Sequence, residues 1–259
     1  MIKATLARLQ QRHRTIRYPD APPPALPDRF RGRPVIDTAA CPDGCRACEA
    51  VCPTGALGRD HPDGIDLGRC LFCGACAAAC PRQAITFATG YQLAARAREA
   101  LVVPRGASVE LMAAAALDAR FRRLFGRSLK LRQVSAGGCN ACEADSNVLS
   151  TVGWDLSRFG IQFVASPRHA DGLLVTGPVT RNMALALRKT YEAVADPRIV
   201  IAVGACAISG GPFIGLPESG DGAASVVPVD LHVPGCPPHP LTILDGLLRL
   251  IGRIEEGRR

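Results

Sequence analysis

Short β-branched and leucine-rich runs alternate with helical apolar patterns along the second half of the chain. LRQV from Leu131, IQFVA from Ile161, GLLVTG from Gly172, IVIAVG from Ile199 and VVPVDLHV from Val226 predict strands. Asn182 to Ala195 and Leu241 to Ile254 predict helices. In the second of these, Leu244, Leu247, Leu248 and Ile251 recur at helical spacing opposite Arg249 and Arg253, as in a helix that covers a sheet. Strand and helix alternating at this length predict an α/β domain over 131–259, a doubly wound parallel sheet.

The first half reads differently. Over 1–36, Ile2, Leu6 and Leu9 fall on one side of a short helix with Lys3, Arg8 and Arg12 elsewhere, and a proline-rich strap, DAPPPALPDRF, follows. Such a basic amphipathic helix suits an anionic membrane surface or a protein partner. The segment 37–90 contains a duplication: CRACEAVCPTGAL at Cys45–Leu57 matches CGACAAACPRQAI at Cys73–Ile85, with Cys45, Cys48 and Cys52 falling on Cys73, Cys76 and Cys80 at one constant offset. Between the copies HPDGI predicts a turn closing a hairpin at Pro62–Gly64. The segment 91–130, rich in alanine and arginine and broken at Pro104-Arg105-Gly106, predicts a linker with a helix and no chemistry.

Twelve cysteines change this picture from a question of fold to one of metal chemistry. Disulfide frameworks belong to small secreted chains, and the opening MIKATLARLQQRHRTIRYP has neither the apolar stretch of a signal peptide nor a twin-arginine leader, so a reducing, cytoplasmic compartment is expected. The apolar run Ile199–Leu216 is interrupted by Gly204, Gly210, Gly211 and Pro212 and reads as a buried strand rather than a membrane span.

The first copy carries Cys41, Cys45, Cys48 and Cys52-Pro53, and the second Cys70, Cys73, Cys76 and Cys80-Pro81. Three cysteines at such gaps wrap one face of an iron-sulfur cube, and the fourth, before proline, reaches across to the other cube. Cys41, Cys45, Cys48 and Cys80 are therefore expected to hold one 4Fe-4S cluster, and Cys52, Cys70, Cys73 and Cys76 a second. Cys41 is the least regular ligand, because Pro-Asp-Gly separates it from Cys45 where the second copy has only Leu-Phe. Cys139, Cys142, Cys206 and Cys236 follow predicted strand ends, where ligands gather in open α/β sheets, and glycines 137, 138, 204 and 235 beside them admit a bulky inorganic group. They are expected to hold a third 4Fe-4S cluster. The alternatives are structural zinc, disulfides, or four unrelated core thiols.

The formal charge of +8 raises nucleic acid as a partner. Each oxidised cluster with four thiolates carries about two negative charges, so three would remove roughly six and leave a weakly basic protein. No nucleic-acid partner is expected on the cluster reading. A zinc or nucleic-acid-binding module is the remote alternative.

The stretches GGCNACEAD, RFGIQFVASPRHADGLLVTGPVTRNM, IAVGACAISGG and VPVDLHVPGCPP resemble the small, cluster-bearing subunit shared by respiratory complex I and membrane-bound nickel-iron hydrogenases. The N-terminal part, with the RYP to RFRGRP strap, resembles the bacterial ferredoxin-like subunit of the same assemblies, so the chain looks like a fusion of two electron-transfer subunits. The resemblance implies a small α+β ferredoxin-like domain followed by a flavodoxin-like domain. It also implies a place on the cytoplasmic side of the inner membrane, peripheral to it, and three kinds of partner: an upstream electron donor, a large subunit, and a membrane-embedded subunit met through the N-terminal arm. Cys139 and Cys142 in a C-x-x-C pair favour the hydrogenase branch, formate hydrogenlyase type, over complex I proteins with adjacent cysteines. The equivalent subunit of a quinone-reducing or nickel-free related complex stays open.

By the same resemblance Glu143 and Asp145, at the start of a helix, are candidates for a proton route, although acids in a first helical turn also favour the dipole. Arg168 and His169 in SPRHAD match a family motif and are candidates for tuning the third cluster. Thr180 predicts a helix N-cap. His13 and His61 read as solvated, and His232 and His239, flanking Cys236, are candidate donors to that site.

Overall fold

The computed structural model describes residues 2–11, 14–41, 44–58, 64–106, 117, 119–125 and 127–254. The N-terminal helix α1 (Ile2–Gln11) buries none of its residues, and Ile2, Leu6 and Leu9 are all exposed. His13, His61 and the turn expected at Pro62 and Asp63 lie outside the described residues.

Among the described residues, four short strands and two one-turn helices make the N-terminal unit. Strand β1 (Pro34–Ile36) pairs antiparallel with β3 (Ile85–Phe87), and β2 (Gly64–Asp66) with β4 (Val102–Pro104). Helices α2 (Ala47–Ala50) and α3 (Ala75–Ala79) start at matching places in the two copies, as the duplication requires. Strand β4 was not expected, since Val102 and Val103 alone carry no strand signal before Pro104. Their pairing with β2, and the burial of Leu101 and Val103 in the core, supply what local sequence does not. The expected helix of this segment is α4 (Ala119–Phe125).

The C-terminal half is a five-stranded, wholly parallel sheet in the order β6-β5-β7-β8-β9. Its strands are β5 (Leu129–Ser135), β6 (Ile161–Phe163), β7 (Gly172–Thr176), β8 (Ile199–Val203) and β9 (Leu231–Val233), and its helices α5 (Ala141–Val148), α6 (Arg181–Glu192), α7 (Ala205–Ser209) and α8 (Pro240–Leu250). Every residue of β7 and β8 is buried, as central parallel strands with both faces covered must be. Leu174, Ile201, Val203 and Leu231 join the core under α8, while Leu173, Val175, Val200 and Ala202 join a second core shared with the N-terminal unit.

Two expectations change. Only the end of VVPVDLHV is strand, because Pro228 has no N–H for a ladder. Asp230 takes over instead: its carboxylate accepts the Val200 N–H at 2.8 Å and its own N–H returns to the Val200 carbonyl. Helix α8 is not half exposed but buried along its whole length, Arg249 included. The strap reaches it, and the Tyr18 hydroxyl donates to Asp245 at 2.5 Å while Arg249 pairs with the same carboxylate at 2.9 Å. Arg158 holds the strap by donating to the carbonyls of Ile16 and Tyr18. Burial pushes Asp245 above the usual carboxylate range against the pull of Arg249. Among the described residues no helix is long and apolar enough to cross a membrane.

Candidate metal centres

The two cysteine loops of the N-terminal unit share one hydrogen-bond frame. The Cys41 N–H donates to the Asp37 carbonyl at 3.1 Å, and the Cys70 N–H to the Asp66 carbonyl at 3.0 Å. Each aspartate also accepts, through Oδ1 at 2.9 Å, the N–H two positions on, from Ala39 and from Gly68. The offset that carries Asp37 onto Asp66 and Cys41 onto Cys70 is one longer than the offset that carries Cys45 onto Cys73 and Cys48 onto Cys76. The extra residue is thus absorbed between Cys41 and Cys45, and Cys41 keeps the same local frame as its counterpart. Pro42 and Asp43, inside that loop, lie outside the described residues.

After the helices the frame repeats again. The Ala56 N–H points at the Cys52 sulfur and the Ala84 N–H at the Cys80 sulfur, both at 3.2 Å, and the Phe72 N–H points at Cys70 at 3.4 Å. Amides aimed at sulfur favour its thiolate form and the negative charge of an iron-sulfur group. Those around Cys80, led by Ala84, hold its thiol below the usual range. Cys52, Cys70, Cys73 and Cys76 line a single cavity. Burial, with Cys76, Cys52 and Cys73 nearby, pushes Cys70 up to about 12, so a metal that takes thiolates displaces a bound proton there. Cys41 lies within electrostatic reach of Cys48 on α2, Cys45 lies on the loop entering that helix, and Cys80 ends α3.

In the sheet domain, Cys139 follows β5, Cys142 is in the first turn of α5, Cys206 is in α7 beyond β8, and Cys236 follows β9. The loops are tied together: Gly204 N–H donates to the Val233 carbonyl and Ala205 N–H to the Gly235 carbonyl, both at 2.8 Å. Gly204 has φ +92°, and a Cβ there would stand 2.5 Å from the Cys142 sulfur, so glycine is required twice over. Burial raises the Cys142 thiol, and Cys206, Cys236, Glu143 and Cys139 raise it further. Cys206 is pushed up to about 11 by burial, with Cys236 and Cys139 adding to it. The four thiols, spread over the sequence, gather at one end of the sheet. Among the described residues no three His, Cys, Asp or Glu side chains converge on a single-ion site.

The three sets also approach one another. Cys48 contributes to the raised pKa of Cys76, and Cys73 to that of Cys236, in each case after burial and nearer cysteines. Leu71 and Phe72, beside Cys70, line a cavity of about 240 Å³ together with Cys236 and Asp145.

Residues 139–250 match the family described as "NADH ubiquinone oxidoreductase, 20 Kd subunit", and residues 31–85, with all eight N-terminal cysteines, match "4Fe-4S dicluster domain". The chain is 41% identical to the "Probable membrane-bound hydrogenase subunit mbhJ" of Pyrococcus furiosus over 53% of its length and 83% of that protein's. The chain belongs to the NADH ubiquinone oxidoreductase 20 Kd subunit family. Similar proteins include "Formate hydrogenlyase subunit 7" of Escherichia coli, 41% identical over 55% of this chain and 56% of that one. An NADH-quinone oxidoreductase subunit of Symbiobacterium thermophilum is 40% identical over 47% of this chain and 68% of that one.

This member of the 20 Kd subunit family buries Glu143 beside the third set, where the carboxylate accepts from the hydroxyls of Ser135 at 2.6 Å and Thr176 at 2.7 Å. Burial raises Asp145. Arg168 and His169 precede the first residue of β7, whereas the cysteines lie beyond strand carboxyl ends. The register of β7 puts them at the opposite end of the sheet, which removes the basis for tuning the third set. Thr180 occupies the N-cap position of α6 without a side-chain capping bond.

The two histidines near Cys236 also have other placements. His239 accepts the Leu241 N–H at 3.1 Å as the cap of α8, and its ring meets those of Phe30 and Trp154 edge-on. His232 is buried in β9, and its backbone bridges Ala95. Sequence reasoning missed Asp37 and Asp66, although each stands at the same distance before its cysteine in the two copies and so is readable. It also missed Arg98, which donates to Asp66 at 2.6 Å, and Ser209, whose hydroxyl lies 3.0 Å from the Gly68 carbonyl; neither carries a sequence signal.

Proposed function

We propose that the chain is the iron-sulfur electron-transfer subunit of a membrane-associated, complex-I-related nickel-iron hydrogenase of the formate hydrogenlyase type, with three 4Fe-4S clusters. The carrying observation is the mutual approach of Cys139, Cys142, Cys206 and Cys236, with Cys73 of the N-terminal unit near the last of them. The C-x-x-C pair Cys139 and Cys142 supports the hydrogenase branch. The open, wholly parallel sheet supports a flavodoxin-like domain.

Bound clusters supply one-electron exchange. The chain's own residues do the rest. Cys41, Cys45, Cys48 and Cys80 hold the first, Cys52, Cys70, Cys73 and Cys76 the second, and Cys139, Cys142, Cys206 and Cys236 the third. The amides of Ala56, Phe72 and Ala84 steady the thiolates, and Gly204 leaves the third group room. Cys139 and Cys236 are exposed, which suits a large subunit docking over that end of the sheet. Glu143, hydrogen-bonded between two hydroxyls, is placed to hold a proton beside Cys142. Helix α1, with Ile2, Leu6 and Leu9 exposed beside Lys3 and Arg8, suits a membrane-embedded subunit at the cytoplasmic face of the inner membrane.

The test is hydrogen evolution by the whole purified complex from a reduced viologen. Gas is expected, together with two C-x-x-C pairs in the co-purifying large subunit. A complex that reduces quinone and evolves no hydrogen would transfer the chain to the quinone-reducing branch.

A further inference from the structure

We propose that Ser209 and Gly68 form a joint that sets the distance between the second and third cysteine sites, which makes Ser209 a positioning residue for electron passage between them. The proposal rests on the reading above that both sites hold clusters.

Ser209 ends α7, the helix that carries Cys206, and is buried. Its hydroxyl lies 3.0 Å from the Gly68 carbonyl and 3.1 Å from that of Ala205, so one proton is shared between its own helix and a loop far away in sequence. Gly68 stands just before Arg69 and Cys70. The joint therefore connects one ligand of the second set to one of the third through a few backbone bonds.

The Cys70 loop is held from its other side as well. Gly68 N–H donates to Asp66 Oδ1 at 2.9 Å, and Asp66 Oδ2 accepts from Arg98 at 2.6 Å. Arg98 lies in a segment pinned at both ends. Ala95 exchanges backbone bonds of 3.0 and 2.8 Å with His232 on the outer strand of the sheet, and Leu101 accepts the Leu67 N–H at 2.9 Å. Sheet, segment 95–101, Cys70 loop and α7 thus form a closed circuit of hydrogen bonds, and Ser209 is its last link.

No slack exists at the joint. A Cβ on Gly68 would stand 2.8 Å from Ile208 Cγ2 on α7 and 2.8 Å from Arg98 Cζ. Its backbone is not left-handed, so glycine is needed for close approach alone. The arginine contact is with the far end of a long side chain, whereas Ile208 is buried on α7 and packed into the core. Because electron transfer falls steeply with separation, a small wedge here is read as a change in coupling between sites.

The test uses the full chain, purified anaerobically, as wild type, Ser209→Ala and Gly68→Ala. Iron and acid-labile sulfide are counted, the spin–spin splitting between reduced clusters is measured by electron paramagnetic resonance, and amide exchange is followed over 66–70 and 205–209. Both variants are expected to keep their iron, to lose splitting, more so in Gly68→Ala, and to exchange faster in both segments. A residue serving only stability would leave the splitting of the folded, loaded chain unchanged, and that result in both variants overturns the proposal. Wild-type protein without a third-site signal overturns the underlying reading instead. If Gly68→Ala does not fold, the comparison of Ser209→Ala with wild type decides alone.

Discussion

Cys73 of the N-terminal unit and Cys236 beyond the last strand of the parallel sheet lie close enough that charge on one adds to the raised pKa of the other, after burial and Cys139. Cys76 and Cys48 stand in the same relation inside the N-terminal unit. The cysteine sets therefore come within electrostatic reach of one another, the first and second through Cys48 and Cys76, the second and third through Cys73 and Cys236.

Cys41 shares the backbone frame of Cys70, each N–H donating to the carbonyl of an aspartate four residues before it. Cys41→Ala is expected to empty the first site as fully as Cys70→Ala empties the second. Iron analysis of anaerobic protein should show each variant losing about four iron atoms from about twelve. Full iron in Cys41→Ala would remove it from the ligand set.

Glu143→Gln retains the size of a side chain that two hydroxyls contact. If the carboxylate holds a proton in transit, hydrogen evolution by the complex should drop by about tenfold or more, with the iron content unchanged. Unchanged turnover would leave Glu143 a packing residue.

Tyr18→Phe removes the hydroxyl that donates to the buried Asp245. The loss is expected to cost about 1–3 kcal/mol, because the carboxylate stays buried with one partner fewer. Denaturant midpoints compared with wild type measure it. Equal midpoints would show that Arg249 alone satisfies Asp245.

His232 has its pKa lowered by burial and by Arg98. A histidine held neutral in the folded state favours folding above its unfolded pKa of about 6.5, and the contribution is lost as pH falls from there through the lower folded value. The wild-type denaturant midpoint should fall between pH 7.5 and 5.5 by more than that of His232→Gln. Parallel declines would assign the pH dependence to other groups.

The duplicated cysteine loops were legible because iron-sulfur ligation is a local demand: three thiols must come from one tight turn, and only certain spacings permit it. The copies even retain their aspartates, Asp37 and Asp66, at matching places. The strands β5, β7 and β8 were legible for a related reason, since a strand near the middle of a parallel sheet is apolar along most of its length and announces itself within a short run.

What tertiary structure alone decided is how distant pieces meet. Arg249 read as the solvent side of α8 until it proved buried against Asp245 with Tyr18 of the strap beside it, because burial depends on what packs there and not on helical period. Val102 and Val103 became strand only through β2, and Arg168 and His169 fell at the wrong end of β7 for a role that their motif suggested. The closeness of Cys73 to Cys236, and the bond from Ser209 to Gly68, join residues whose separation along the chain leaves no periodic trace, so no pattern in the sequence encodes them.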